Sequence, residues 1–264
     1  MKNSLRKRSD ANRLFLYGGG NALQSFKDCI SHFSKGLTRV VVLLEHDRLD
    51  NLSNIKSTWD ELLGSAHYTF IRPRRGRLSE SQLSAIRESD GIFMNGGDTR
   101  SIQRTYCRGR ARTSIRYAFK KGARYGGSSA GALLPSAQAI VWGGRARRDG
   151  QQYSVASPLA NQGYKDPFGI LELGTGLGLV ENCILDVHAT EWGRIPRLWE
   201  ALQTRKVPTG IAIDEDTWVS ITNRGLIKRH GKGRVYALTL HRNAALLSTI
   251  TKSNSSFLKG AVYQ

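Results

Sequence analysis

Four short runs rich in β-branched, aromatic and other apolar residues, Leu14–Tyr17, Arg39–Leu44, Tyr68–Arg72 and Gly91–Met94, alternate with stretches whose apolar residues recur at helical spacing. Those stretches are Ala22–Phe33, Ile55–Leu63 and Glu80–Arg87. The alternation is the tightest constraint on the fold, because parallel strands must be joined by crossovers, and a helical crossover also covers the sheet it spans. It predicts an α/β chain with a doubly wound, mostly parallel sheet and helices on both faces. Ser79, followed three residues later by Gln82 and then by an apolar run, fits a capping box that opens the third helix.

Further along, Cys183–Val187 and Gly210–Ile213 read as strands with a helix between them from Ile195 to Leu202. Trp218–Leu240 alternates apolar with polar residues and carries turn signals at Asn223–Gly225 and His230–Gly233. That pattern predicts an antiparallel edge at the C-terminal end of the sheet. Trp142–Gly169, rich in Gly, Arg, Gln and Ser, reads as a long loop of the kind that serves as a lid or binding segment. With 264 residues and 39% hydrophobic content, the chain is read as one domain over residues 14–264 behind a basic tail, residues 1–13.

The chemistry concentrates at strand ends. Gly18-Gly19-Gly20 follows the first strand, and Gly96-Gly97 follows the fourth. This is the edge of a parallel sheet where ligands bind. A tight turn would also account for the first triplet, which lacks the spacing of a dinucleotide-binding loop. The sharpest feature is Gly127-Ser128-Ser129-Ala130-Gly131-Ala132, between a strand-like Ala123–Tyr125 and a helix-compatible Leu133-Leu134. A G-x-S-x-G segment in that setting places its serine on a strained strand-to-helix turn with the hydroxyl exposed, so Ser129 is the candidate nucleophile. The following helix offers its positive end and the Ala130 amide to an oxyanion. His188, just past the strand Cys183–Val187 and so expected at the same edge of the sheet, is the candidate base.

Charge bears on partners. Forty Lys and Arg against 21 Asp and Glu give a net charge of +19, a surface that attracts nucleic acid, anionic surfaces or acidic peptides. The basic residues are spread over five places: Lys2–Arg8, Arg72–Arg77, Arg104–Arg124, Arg145–Arg148 and Arg224–Arg234. No RNA-binding aromatic motif or zinc-finger spacing accompanies them, so a generally basic solvated surface is preferred over a nucleic-acid site. Cys29, Cys107 and Cys183 lack C-x-x-C spacing, and His32, His46, His67, His230 and His241 are scattered. Neither a disulfide framework nor a metal is expected, and no cofactor is. Without an apolar run of membrane length or a signal-peptide core, a cytoplasmic location is expected.

Several blocks in order resemble the serine peptidases that include cyanophycinase and the aspartyl dipeptidases, whose fold is shared with class I glutamine amidotransferases. They are Tyr17-Gly18-Gly19-Gly20, Gly91–Asp98, Gly127–Ala132, Gly174–Leu179, Leu185-Asp186-Val187-His188 with Arg194 and Arg197 downstream, and Gly210–Glu215, so the resemblance spans about Phe15 to Val219. It implies Ser129 as nucleophile, His188 as base, and the amides of Gly97 and Ala130 as the oxyanion hole. It also implies a substrate-binding role for Asp98, Thr99, Asp186, Arg194 and Arg197. The family carries Gln and a further Arg where this chain has Val187 and Trp192, and Gln in place of Thr99, which weakens the case for cyanophycin itself as substrate. The family acid falls in the segment after the elbow, where this chain has Gly144–Arg147. Asp149 is nominated to orient His188, with Asp166 and Glu172 as competitors and a Ser–His dyad as the remaining option.

The reading is therefore a hydrolase that cleaves an amide in a short acidic or aspartyl peptide or isopeptide through an acyl-enzyme on Ser129. Oligomeric state, a homodimer included, is left open. Two alternatives stand beside it. One is a catalytically silent relative that binds nucleic acid or an acidic partner through its basic surface. The other is a glutamine amidotransferase domain, which would require cysteine at position 129.

Overall fold

The computed structural model describes residues 11–46, 52–63, 67–143, 145–148, 151–154, 171–241 and 244–250. The first half alternates as its pattern requires: β1 (Asn12–Tyr17), α1 (Leu23–Ser34), β2 (Val40–Leu43), α2 (Leu52–Leu63), β3 (Tyr68–Ile71), α3 (Glu80–Glu88), β4 (Gly91–Met94), α4 (Thr99–Tyr106), α5 (Gly109–Lys121), β5 (Arg124–Ser128) and α6 (Ala130–Leu133). The second half is richer in strands: β6 (Gln138–Trp142), β7 (Arg145–Arg148), β8 (Gln151–Ser154), β9 (Glu172–Thr175), β10 (Cys183–Val187), α7 (Ile195–Arg205), β11 (Thr209–Ile213), β12 (Thr217–Thr222), β13 (Ile227–Gly231), β14 (Val235–His241) and β15 (Ala244–Thr249).

Seven strands form the main sheet in the order β13-β12-β1-β5-β4-β2-β3. The five from β1 to β3 run parallel, and β12 and β13 add an antiparallel edge. Period-two alternation explains why the central strands β1, β2 and β4 carry buried apolar residues toward both faces. Leu14 and Leu16 of β1, Val41 and Leu43 of β2, and Ile92 and Met94 of β4 face one apolar cluster with α3, α4 and α5. Phe15 and Tyr17, Val40 and Val42, and Phe93 face the other with α1 and Trp59 of α2. A strand buried on both faces has no polar side to show. The α/β sheet with helices on both faces is thus observed, and the expected capping box is present, Ser79 Oγ accepting from the Gln82 amide at 3.2 Å.

Four features differ from expectation. The helices α4 and α5 were hidden by their arginines, although Ile102, Tyr106, Ala111, Ile115, Ala118 and Phe119 keep a buried helical stripe; long cationic side chains leave that stripe intact while lowering its mean hydropathy. Trp142–Gly169 is not uniformly loop: β7 pairs antiparallel with β8, and residues 155–170 lie outside the described residues. Arg13 belongs to β1 rather than to a tail, and donates to Asn223 at 3.2 Å and to the Ala123 carbonyl at 3.1 Å. The largest difference is that β10 lies outside the main sheet. It heads a second sheet, β10-β11-β14-β15, covered by Leu198, Ala201 and Leu202 of α7. The C-terminal hairpins are therefore divided between two sheets. No described helix is long and apolar enough to cross a membrane.

Candidate active site

In the main sheet β5 lies between β1 and β4, so its C-terminal end is flanked by Gly18-Gly19-Gly20 and by Gly96-Gly97. Ser129 follows β5 directly and has φ +50° and ψ −115°, a region costly for a residue with a side chain, of order 1–3 kcal/mol. The turn persists because its neighbours fix it: the Ser129 amide donates to the Tyr17 carbonyl at 2.9 Å, and the Ala132 amide to the Ser129 carbonyl at 2.9 Å. A Cβ at Gly131 would stand 2.1 Å from the Met94 carbonyl oxygen, so only glycine lets the short helix pack this close to β4.

The second sheet delivers the partner groups. Strands β10 and β11 are parallel neighbours in register, Val187 opposite Ile213, so the residues just beyond them emerge side by side. His188 is the first residue past β10 and Glu215 the second past β11. His188 Nε2 lies 2.8 Å from Ser129 Oγ, and its Nδ1 lies 2.6 Å from Glu215 Oε1. The imidazole, on a residue with φ +52°, rests on Gly19 in the glycine triplet after β1, where a Cβ would come within 2.2 Å of Cε1. Three consecutive carboxylates after β11 do three separate jobs. Asp214 accepts from the Thr190 amide at 3.1 Å and the Arg234 amide at 2.8 Å, bracing the turn after His188. Asp216 accepts from the Ala22 amide at 2.8 Å and the Tyr17 hydroxyl at 3.1 Å, bracing the glycine loop. Glu215 alone faces the histidine.

Burial, and then the nearby Arg194 cation, push the His188 pKa down to about 3. Burial raises that of Glu215 above its ordinary value, against the Trp192 hydrogen bond, which lowers it. The imidazole is therefore neutral at physiological pH. With Glu215 ionised, Nδ1 carries the proton and Nε2 is left to accept from the serine, the arrangement a general base needs.

Ser129 and His188 open onto a cavity of about 340 Å³. Gly97 and Ala130 line it with the serine, and Asp98, Thr99, Arg100, Trp192, Arg194 and Arg197 also contribute to its wall. Its cations are tied down. Arg197, 3% exposed, makes a two-pronged pair with Asp186, Nε to Oδ2 at 2.7 Å and Nη2 to Oδ1 at 2.5 Å, and also donates to the Gly143 carbonyl. Arg194 donates to the Val187 carbonyl at 3.3 Å, and burial with Arg197 nearby lowers its pKa to about 9. Among the described residues no cluster of three or more His, Cys, Asp or Glu side chains is placed to hold a metal.

The family model for peptidase family S51 matches residues 14–229. The chain belongs to that family. It is similar to the cyanophycinase of Synechococcus elongatus, 26% identical over 166 residues that cover 62% of this chain and 46% of the relative. It is also similar to the cyanophycinase of a Nostoc species, 28% identical over 170 residues, 62% of this chain and 50% of the relative. This S51 chain thus spans about half the length of the curated relatives it matches. In architecture it resembles a crystal structure of a peptidase from an acI-B1 Actinobacterium, with a TM-score of 0.60 and 16% identity over 92% of this chain and 96% of that one. At that identity the likeness speaks to the fold alone.

Among the residues nominated for the S51 site, Ser129, His188, Gly97, Ala130, Asp98, Thr99, Arg194 and Arg197 meet at the cavity. Asp98 caps α4, accepting from the amides of Arg100 and Ser101 at 3.2 and 3.1 Å. Asp186 does not line the cavity: it is fully buried behind Arg197, and its carboxylate also accepts from the Val187 amide at 2.8 Å. Asp149 and Asp166 lie outside the described residues, and Glu172 pairs with Arg100 at 2.6 Å. The acid on His188 is Glu215, which sequence reasoning missed by searching the segment after the elbow. The acid-rich Asp214-Glu215-Asp216 at the end of a strand is the signal in the sequence that could have found it.

Proposed function

We propose that this S51 chain is a serine peptidase-type hydrolase that cleaves an amide bond in a short acidic or aspartyl peptide or isopeptide. The observation that carries the proposal is the continuous relay from Ser129 Oγ to His188 Nε2 at 2.8 Å and from His188 Nδ1 to Glu215 Oε1 at 2.6 Å. His188 takes the proton of Ser129 as Oγ attacks the substrate carbonyl. The oxyanion that forms is met by the amides of Gly97 and Ala130, and the imidazolium is stabilised by the Glu215 carboxylate. His188 then gives its proton to the departing amine, and water repeats the sequence on the acyl-enzyme. The buried guanidinium of Arg194 on the cavity wall favours a substrate that brings a carboxylate there, whereas Arg197 is already paired with Asp186.

Intact mass after exposure to a fluorophosphonate tests the nucleophile. One stoichiometric adduct is expected on the wild type and none on Ser129→Ala or His188→Ala. An unlabelled, folded wild type would sink the reading. A panel of α- and β-linked aspartyl dipeptides then tests the substrate class, and hydrolysis indifferent to removal of the substrate carboxylate counts against acid recognition.

A further inference from the structure

The relay has one joint that a single hydrogen bond would hold poorly. Glu215 is a half-buried carboxylate on a side chain with three rotatable bonds, and each unfixed rotor costs free energy to order. In this chain Glu215 Oε1 takes a second donor, the indole Nε1 of Trp192 at 3.1 Å. Trp192 reaches it because the chain after His188 turns back on itself, the Trp192 amide donating to the His188 carbonyl at 3.1 Å and the Gly193 amide to that of Thr190 at 3.2 Å. The same turn lays the indole against the imidazole, with ring centroids 4.9 Å apart and planes inclined by 31°. The Arg194 guanidinium packs over the indole in turn, 4.4 Å from its centroid.

We infer that Trp192 is a positioning residue of the relay, one side chain that fixes both the carboxylate and the imidazole it serves. The inference rests on the hydrolase reading above and goes beyond it. The indole ring blocks one side of the imidazole, while its N–H limits Glu215 to an orientation in which Oε1 faces Nδ1. The two roles are separable, because phenylalanine at position 192 keeps a ring and removes the donor.

The N–H also has an electrostatic consequence. A hydrogen bond to the ionised carboxylate favours that form, and here it acts against burial and the neighbouring Asp216. Glu215 also faces His188, Arg194, Glu191 and, more distantly, Tyr17. All of these stay in place when only the indole donor is removed. Without that donor Glu215 takes up its proton at a higher pH. Once protonated, its carboxyl no longer accepts from Nδ1, and Nε2 stops being the basic nitrogen.

The test is the rate of fluorophosphonate labelling of Ser129 as a function of pH, in wild type and Trp192→Phe. Trp192→Phe should label about tenfold more slowly, the order expected for a lost hydrogen bond to a charged group, and its acid limb should move up by about one pH unit. Trp192→Ala should be slower still, since the imidazole also loses its wall. In the wild type, the indole N–H proton resonance of Trp192 should titrate along the acid limb of labelling, a readout that does not depend on how a variant folds. Trp192→Phe with the wild-type rate and limb, or an indole resonance that ignores the limb, overturns the positioning role alone. A wild type that does not label, or that labels equally as Ser129→Ala, overturns the hydrolase reading and this inference with it.

Discussion

Arginine does opposite work in two regions of this molecule. At the cavity, Arg194 and Arg197 are 8% and 3% exposed, and Arg197 meets a fully buried carboxylate through two parallel hydrogen bonds. From the N-cap of α5 onward, Arg108, Arg112, Arg116 and Lys120 recur every fourth residue on a face that no acid lines among the described residues, beside the exposed Tyr117. There Arg112 donates to the Gly176 carbonyl at 3.0 Å, and Arg116 to the Leu177 and Gly178 carbonyls at 3.0 and 2.7 Å. These are staples: a guanidinium with five donors holds the carbonyls of a turn that would otherwise be unsatisfied. Water screens their field, whereas desolvation at the cavity makes the same charge act on His188. The high net charge is therefore no guide to the site, since only cations removed from water change the chemistry there.

The comparison breaks first at Asp186. Asp186→Ala leaves Arg197 buried without its carboxylate and should cost about 3–5 kcal/mol of stability in chemical denaturation. Asp186→Leu combined with Arg197→Met should recover most of that loss, because an apolar pair of similar volume replaces a buried ion pair at little net cost. A double variant no more stable than Asp186→Ala would mean that the pair is needed for packing rather than for charge.

Acid sensitivity separates the two regions next. His188 is held at about 3 against 6.5 for an ordinary histidine. Between those values the unfolded chain binds a proton that the native state refuses, so this residue's contribution to stability is present above about pH 6.5 and is lost as pH falls toward 3. Denaturation midpoints should drop across that window. Arg194→Met, which removes a cation that lowers the His188 pKa, should lift that pKa and make the drop shallower, whereas Arg112→Gln should leave it unchanged.

The smallest effect is expected on α5. Arg112→Gln with Arg116→Gln should lower stability by about 1–2 kcal/mol through the lost carbonyl contacts and leave Ser129 labelling within about twofold of wild type. A larger fall in labelling would tie the α5 staple to the site.

Much of the frame was legible. The strands of the parallel sheet, the capping box and the Gly-x-Ser-x-Gly turn announce themselves because each is a local steric or periodic pattern. The helices α4 and α5 were not, since arginines diluted a stripe that burial alone reveals. Nor was the role of Asp186, which reads as a polar residue beside a reactive histidine until its burial behind Arg197 is seen.

By itself the amino-acid sequence determined which residues could be reactive. Ser129 and His188 each stand at a strand end, and the glycines around the serine permit a turn that any other residue would strain. Only the tertiary structure decided how they meet. Ser129 and His188 come from different sheets, and Glu215 reaches the histidine because β11 pairs in register with β10. Pairing between strands distant in sequence is set by packing through space, which no local pattern along the chain records.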